Sequence, residues 1–287
     1  MTRATLNDIL PAANAGGYAV PGFVCLGWED ARAYVSAAEA ERAPVILQAG
    51  PSCRAHTPLP VLAAMFLHLA DSACVPVVAH LDHGHTLAEC DEALQCGFTS
   101  VMFDGSRLPL AENIAQTKAV AQLARRFGAS CEGELGFVGY ADGAASAGTN
   151  PDEVAQFAGE TGVDALAVSI GNVHLQTVPG QSLDWDRLRL IEEQSQTPLV
   201  LHGGSGLELS ERQRVSAKSR IAKINMGTEL RQVFGQALRN VLREEPEIYD
   251  RISILSASDP PITDAARKIF RQLGTNGRIT PYRSQII

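Results

Sequence analysis

The 287-residue sequence has no apolar run that reaches the roughly 20 residues a membrane-crossing helix needs. Its first residues, Met1 to Pro11, lack a charged segment followed by an apolar one, so no export signal is read and a cytoplasmic location is expected. No block of Lys or Arg occurs. Lys and Arg number 24 against 32 Asp and Glu, for a net charge of −8. That balance argues against nucleic acid or an anionic membrane as a partner and leaves a small molecule as the expected one. The six cysteines (Cys25, Cys53, Cys74, Cys90, Cys96, Cys131) form no C-x-x-C pair, so isolated thiols are expected rather than a disulfide framework or a cysteine zinc site. No G-x-G-x-x-G fingerprint follows the first strand, which disfavours a doubly wound dinucleotide-binding sheet. No composition break or low-complexity segment marks a domain boundary.

What is present is a regular alternation. Apolar, β-rich runs at 18–25, 44–48, 76–79, 98–103, 129–135, 165–169, 199–201 and 221–224 read as strands. Stretches at 28–41, 59–71, 86–95, 110–127, 151–161, 185–194, 210–218 and 228–243 read as helices. Thr86, with Glu89 three positions later, has the spacing of a capping box. Eight βα units in sequence predict a (β/α)8 TIM barrel, one domain over 1–287, because each parallel strand needs a helical crossover. An extra C-terminal helix is expected over 263–273, then a poorly ordered polar tail at 275–287. The Gly- and Ala-rich stretch 136–149 has no period and reads as a mobile loop.

In such a barrel, chemistry sits at the C-terminal strand ends. The third strand leads into Ala79-His80-Leu81-Asp82-His83-Gly84-His85, and the fourth ends at Asp104. The fifth carries Glu132 and Glu134, and His174 follows the sixth. The seventh runs into His202-Gly203-Gly204-Ser205-Gly206, and the eighth ends at Asn225 before Gly227-Thr228. Imidazoles and carboxylates suit a borderline metal such as zinc, and three nitrogens with an open position make a catalytic site. An Asp beside a ligand His could move a proton on a bound substrate. The two glycine-bearing turns before helices suit a phosphate. His80 shares a strand face with Asp82, and Glu132 with Glu134, so both are expected in supporting roles. His85 is expected to face solvent or lie near a phosphate, and His56 and His68 to be surface residues. Lys223 lies inside the last strand, which makes a Schiff-base nucleophile the minority reading.

These motifs, in this order, resemble the class II, metal-dependent fructose-bisphosphate and tagatose-bisphosphate aldolase family. The resemblance runs from Tyr18-Ala19-Val20-Pro21 past Asn225 and rests on His80-Leu81-Asp82-His83-Gly84, Glu132-x-Glu134-Leu135-Gly136, Gly171-Asn172-Val173-His174, Leu201 to Gly206, and Lys223-Ile224-Asn225. It implies that His83, His174 and His202 ligate Zn2+ and that Asp82 is the acid/base at the aldehyde oxygen. It implies that Asp104 and Glu134 hold a second or alternative metal position. Gly203, Gly204, Ser205, Asn225, Met226, Gly227 and Thr228 would surround dihydroxyacetone phosphate or a similar donor. A monovalent cation (Na+ or K+) near the phosphate and a homodimer or homotetramer are also implied, with Arg251 corresponding to an Arg contributed across a dimer.

The sequence departs from that family at the substrate end. Val24 stands where Asn is usual, Gly50 where Ser or Thr is common, and Leu175 where Gly follows the second ligand. The loop Glu that abstracts the donor's proton is absent; Asp142 either replaces it with a shorter reach or the base is lost. The leading expectation is reversible retro-aldol cleavage of a phosphorylated ketose, of the fructose or tagatose 1,6-bisphosphate type. The alternatives are an aldolase for a different, non-bisphosphate ketose or acceptor, a phosphosugar epimerase or isomerase, and a non-catalytic sugar-phosphate-binding partner.

Overall fold

The computed structural model describes residues 2–141, 143–180 and 182–279. Its elements in chain order are α1 (Leu6–Gly16), β1 (Val20–Val24), α2 (Trp28–Glu41), β2 (Val45–Ala49), α3 (Pro51–His56), α4 (Leu59–Ser72), β3 (Val77–Gly84), α5 (Leu87–Gln95), β4 (Ser100–Phe103), α6 (Leu110–Arg126), β5 (Ser130–Leu135) and β6 (Gly139–Tyr140). Then follow α7 (Pro151–Thr161), β7 (Ala165–Val168), β8 (Val173–His174), α8 (Trp185–Gln194), β9 (Leu199–Leu201), a 3-10 turn (Gly204–Gly206), α9 (Leu209–Lys218), β10 (Ile221–Met226), α10 (Thr228–Glu244), α11 (Arg251–Ser256) and α12 (Asp259–Gln272). Eight strands close into a parallel barrel in the order β1-β10-β9-β7-β5-β4-β3-β2. The expected (β/α)8 architecture with an added C-terminal helix is the one observed. No helix among the described residues is long and apolar enough to cross a membrane.

The barrel interior changes character along its axis. At the N-terminal end, α1 plugs the opening with Leu6, Ile9, Leu10 and Ala13, which share one helix face. They pack on Val20, Ile46, Val78, Ala165, Ala167, Val200 and Ala222. Two residues beyond Ile46, Val78 and Val200 the inward positions become polar, at Gln48, His80 and His202, and Glu132 and Lys223 join them; all five are fully buried. The apolar layer closes the bottom, and the polar layers point to the mouth.

Several elements differ from expectation. α1, α3 and α11 were not read from the sequence, although α1 carries helical spacing and a Thr5/Asp8 capping box. α12 begins four residues earlier than expected, at Asp259. β3 continues through Gly84 instead of stopping at Ala79. The stretch taken for a mobile loop makes its own bonds: Phe137 bridges Ala147, and β6 pairs in parallel with β8. Thr275, expected to open a disordered tail, is buried, and its hydroxyl donates to the Ala19 carbonyl. The rest of that tail from residue 280 lies outside the described residues. All six cysteines are free; burial pushes Cys53 up to about 11 and Cys90 up to about 12.

Candidate active site

A cleft of about 300 Å³ opens at the C-terminal mouth of the barrel. Its walls include Asp82, His83, His174, Gly203, Ser205, Asn225, Gly227 and Thr228, all expected from the sequence, and also Val24, Gly50 and Leu175. Asp82 and His83 are chain neighbours, and neighbours on a strand point to opposite faces. Here both reach the cleft because β3 slips register against β4 between Leu81 and Gly84. His83 takes up the extra residue in the left-handed region, φ +52°. A bulge of this kind re-aims side chains at barrel rims. Arg54, from α3, holds the turn: its guanidinium donates to the carbonyls of Ala49 (2.8 Å), Asp82 (2.6 Å) and His83 (3.0 Å).

The three histidines face one another. Ring centroids of His83 and His202 are 4.8 Å apart, those of His83 and His174 5.2 Å, and those of His174 and His202 5.4 Å. One nitrogen on each lies within 4.8 Å of the others. The partners of the remaining nitrogens fix the ring orientations. His83 Nδ1 is 2.8 Å from an Asp104 oxygen, which leaves Nε2 free. His202 Nε2 is 3.1 Å from Glu132 Oε1, and its buried Nδ1 has no partner. His174 Nε2 is likewise buried without a partner, as is Glu134 Oε2, which lies 3.6 Å from His202 Nδ1 and 3.9 Å from His83 Nδ1. Unpaired buried polar atoms are costly. Several of them turned toward one another, with imidazole and carboxylate chemistry, fit a divalent metal; His83, Asp104 and Glu134 form a second, overlapping candidate group.

Asp82 is buried and held on one side. Gln48 Nε2 donates to its Oδ1 at 2.7 Å and Asn225 Nδ2 at 3.3 Å, so Oδ2 remains for a ligand in the cleft. Burial works to raise its carboxyl, but His83 and then His202 outweigh it and hold Asp82 below its ordinary value. Asp82 is therefore ionised near neutral pH. Beneath the histidines lies a second buried set. Lys223 Nζ donates to Glu132 Oε2 at 2.6 Å and sits 3.4 Å from His80 Nε2, while His80 Nδ1 meets Ser100 Oγ at 2.8 Å. Lys223 is thus an ion-paired interior residue and lines no part of the cleft, which removes the Schiff-base reading. Burial, then Lys223, pushes His80 down to about 3, so it is neutral. Glu132 does what strand alternation suggested: it connects Lys223 to the back of His202.

Other expected residues lie elsewhere. Met226 is fully buried and packs with Ile224 beneath Gly204; neither Gly204 nor Met226 lines the cleft. A Cβ on Gly204 would come within 2.6 Å of the Met226 sulfur, so this glycine allows packing rather than ligand approach. Arg251 begins α11, is exposed, and lines a neighbouring groove with Trp28 and Leu255 instead of its own chain's cleft. Asp142 lies outside the described residues. His56, His68 and His85 are exposed. Glu89 accepts from the His85 backbone N–H at 2.8 Å and pairs with Arg54, so the predicted cap also braces the β3 turn.

Several residues of the cleft and its supports had no role read from the sequence, Arg231 of the cleft wall among them. Gln48 and Arg54 orient Asp82 and the β3 turn. Tyr140 stacks on His174 with centroids 5.0 Å apart, and Asn172 Nδ2 donates to the His202 carbonyl at 3.1 Å, tying the His174 segment to β9. Gln48 carried a sequence signal as the one polar residue in the apolar run Val45 to Ala49, and Asn172 stood in the Gly171–His174 motif without a role assigned to it.

Leu175 keeps a glycine-like backbone, φ +57°, although it has a side chain. That conformation costs a non-glycine residue about 1–2 kcal/mol. Its side chain is half-exposed, so little burial offsets the cost. Leu175→Gly is expected to stabilise the fold by roughly 0.5–1 kcal/mol after the greater unfolded-state freedom of glycine is subtracted. Thermal unfolding should show a midpoint raised by about 2 °C; a lowered midpoint would mean that the side chain holds the cleft wall.

The family model for fructose-bisphosphate aldolase class-II matches residues 4–278 of this chain. Among solved structures, the YdjI aldolase from Escherichia coli K12 superposes with a TM-score of 0.85 at 28% identity, covering 97% of this chain and 100% of the other. A Coccidioides immitis protein provisionally assigned as a fructose-1,6-biphosphate aldolase gives 0.83 at 25% identity, covering 96% and 98%. The fructose-bisphosphate aldolase of Campylobacter jejuni shares the fold with a TM-score of 0.78 at 24% identity, covering 94% of each chain.

Proposed function

Because the chain belongs to the class II fructose-bisphosphate aldolase family, we propose that it is a divalent-metal-dependent aldolase, with zinc as the ion that its three imidazoles favour. The reaction is reversible cleavage of a phosphorylated ketose into dihydroxyacetone phosphate and an aldehyde. One observation carries this reading: unpaired atoms of His174, His202 and Glu134 converge beside His83 and next to Asp82, whose Oδ2 is free.

In cleavage, Asp82 Oδ2 takes the proton from the hydroxyl on the carbon that becomes the aldehyde. The adjacent carbon–carbon bond breaks, and its electron pair passes into the enediolate of the donor half. In condensation Asp82 returns the same proton to the aldehyde oxygen. Gln48 and Asn225 keep the carboxylate from rotating by occupying Oδ1. His83, His174 and His202 would hold the divalent cation, which would supply positive charge against the enediolate, a task that otherwise needs a Schiff-base lysine. Asp104 fixes the ring of His83, and Glu132 fixes that of His202. Ser205, Gly227 and Thr228 line the wall suited to the donor phosphate. The proton on the donor carbon falls to Asp142 if it replaces the family's loop Glu, and to solvent if that base is lost.

A second reading keeps the chemistry and changes the ketose. Val24, Gly50 and Leu175 all line the cleft and offer no side-chain hydrogen bond to a sugar or phosphate, which favours a substrate other than fructose 1,6-bisphosphate. The test is a panel of ketose mono- and bisphosphates incubated with metal-loaded protein, with dihydroxyacetone phosphate measured directly. Release from at least one ketose is expected. An interconverted ketose with no triose product would indicate epimerisation, and no turnover on any would leave a binding protein.

A further inference from the structure

We propose that Tyr140 contacts the substrate: its ring braces His174, and its hydroxyl donates a hydrogen bond to a carbonyl or hydroxyl oxygen of the ketose beside the three histidines. This rests on the aldolase reading of the cleft and deepens it. Tyr140 lines the cleft with an exposed side chain, yet its backbone is fastened. It pairs with His174 in the β6–β8 ladder, its N–H donates to the Ala144 carbonyl at 3.1 Å, and its carbonyl accepts from the Gly143 N–H at 3.1 Å. The N–H of Ala141 donates to the His174 carbonyl at 3.1 Å. The ladder is also pressed against the barrel mouth: a Cβ on Gly203 would come within 2.2 Å of the Val173 carbonyl oxygen.

The ring and the hydroxyl do different work. A histidine that ligates a metal takes its orientation from a hydrogen bond on its other nitrogen. Asp104 gives that bond to His83 and Glu132 gives it to His202. His174 has no such carboxylate among the described residues. The Tyr140 ring lies over it instead, with centroids 5.0 Å apart and planes 27° apart. The hydroxyl makes no hydrogen bond among the described residues, and a phenol stays protonated near neutral pH, so it is free to donate. Burial, then the carboxylates of Asp104, Glu134 and Asp82, push the phenol up further, and Arg107 opposes them. Those three carboxylates surround the histidines, which puts the hydroxyl on that side of the cleft. Val24, Gly50, Pro51 and Leu175 line the same cleft and have no side-chain donor. Tyr140 supplies one next to the reacting atoms, from a position that the ladder and the stack hold fixed.

The experiment adds Tyr140→Phe or Tyr140→Ala to an Asp82→Asn parent, in which a bound ketose is held without rapid cleavage. Two affinities are measured: zinc for the metal-free protein, and fructose 1-phosphate or dihydroxyacetone phosphate for the zinc-loaded protein, by calorimetry. Tyr140→Phe keeps the ring, so its zinc affinity should stay within twofold of the parent, while fructose 1-phosphate binds about tenfold more weakly for one lost hydrogen bond. Tyr140→Ala loses the brace as well, and its zinc affinity should fall by roughly tenfold or more. Weakening of both probes in Tyr140→Phe assigns the hydroxyl to an oxygen of the donor half, and weakening of fructose 1-phosphate alone assigns it to the aldehyde half. Probe affinities of Tyr140→Phe within twofold of the parent, no binding of either probe to the parent, or zinc affinity as low in Tyr140→Phe as in Tyr140→Ala would overturn the proposal. The two readings fail separately: a ketose held through the Tyr140 hydroxyl with no triose release by the wild type sinks the aldolase, and triose release unchanged by Tyr140→Phe in an otherwise wild-type chain sinks this assignment.

Discussion

Asp82→Asn is expected to lower kcat by about a hundredfold to ten-thousandfold, the range that a positioned general acid–base contributes. The effect follows from which oxygen does what. Oδ1 is held by Gln48 and Asn225, and an amide oxygen can still accept both bonds. Oδ2 is the atom left for substrate, and an amide nitrogen there cannot take a proton. The substitution is nearly isosteric in a buried position, so metal content and melting midpoint should stay close to wild type. That combination separates lost proton transfer from lost structure. The pH profile supplies a further check. His83, and behind it His202, hold the Asp82 carboxyl below its ordinary value despite burial, so loss of activity through protonation of Asp82 belongs at clearly acidic pH. An Asp82→Asn protein within tenfold of wild-type kcat would show that the proton moves by another route.

The second large effect is expected from His174→Ala. His174 sits on the short β8 strand, makes a ring stack with Tyr140, and has a buried, unpartnered Nε2. Its removal should cost more metal affinity than the roughly 10–100-fold lost with an outer-shell partner. Turnover should fall by about a thousandfold, on the order of 4 kcal/mol of transition-state stabilisation. Burial, and then His202 and His83, push His174 down to about 2, so it is neutral and needs no deprotonation to ligate. His83 differs. Burial opposes its charge, but Asp82, the Asp104 hydrogen bond and Glu134 outweigh that and push it up to about 9. Burial, then Asp104, pushes Glu134 up to about 8. At pH 7 the metal-free site therefore holds protons on both His83 and Glu134, and a cation must displace at least the one on His83 Nε2. The sign is fixed: protons compete with metal, so affinity rises as pH rises toward 9, by up to tenfold per unit for each proton released. Metal titrations at pH 6.5 and 8 should differ in that direction; equal affinities would mean that His83 is already neutral.

The barrel was legible because its signal is repeated. Each buried parallel strand is a short apolar run and each crossover is amphipathic, so the pattern survives errors at single boundaries. The histidines and Asp82 were legible because polar residues at strand ends conflict with that pattern. What stayed hidden depends on long-range geometry. Extended strand alternation would send Asp82 and His83 to opposite faces, and only the bulge at His83, braced by Arg54 from another βα unit, brings both to the cleft. Tyr140 and His174 come together through a two-residue ladder between segments over 30 residues apart, too short to leave a periodic trace. Gly204 and Met226 look like ligand-loop residues in the chain, but the bend after β9 turns them toward each other as packing. Arg231 carries no sequence signal apart from α10, where charged residues are ordinarily solvated.

The most direct test of the central claim, that one ion held by His83, His174 and His202 beside Asp82 performs aldol cleavage, is triose phosphate release by the same preparation before metal stripping, after it, and after zinc is returned. The stripped protein should stay folded and lose about a thousandfold in rate, and stoichiometric zinc should restore it. Undiminished release of triose phosphate from the stripped protein would contradict the claim.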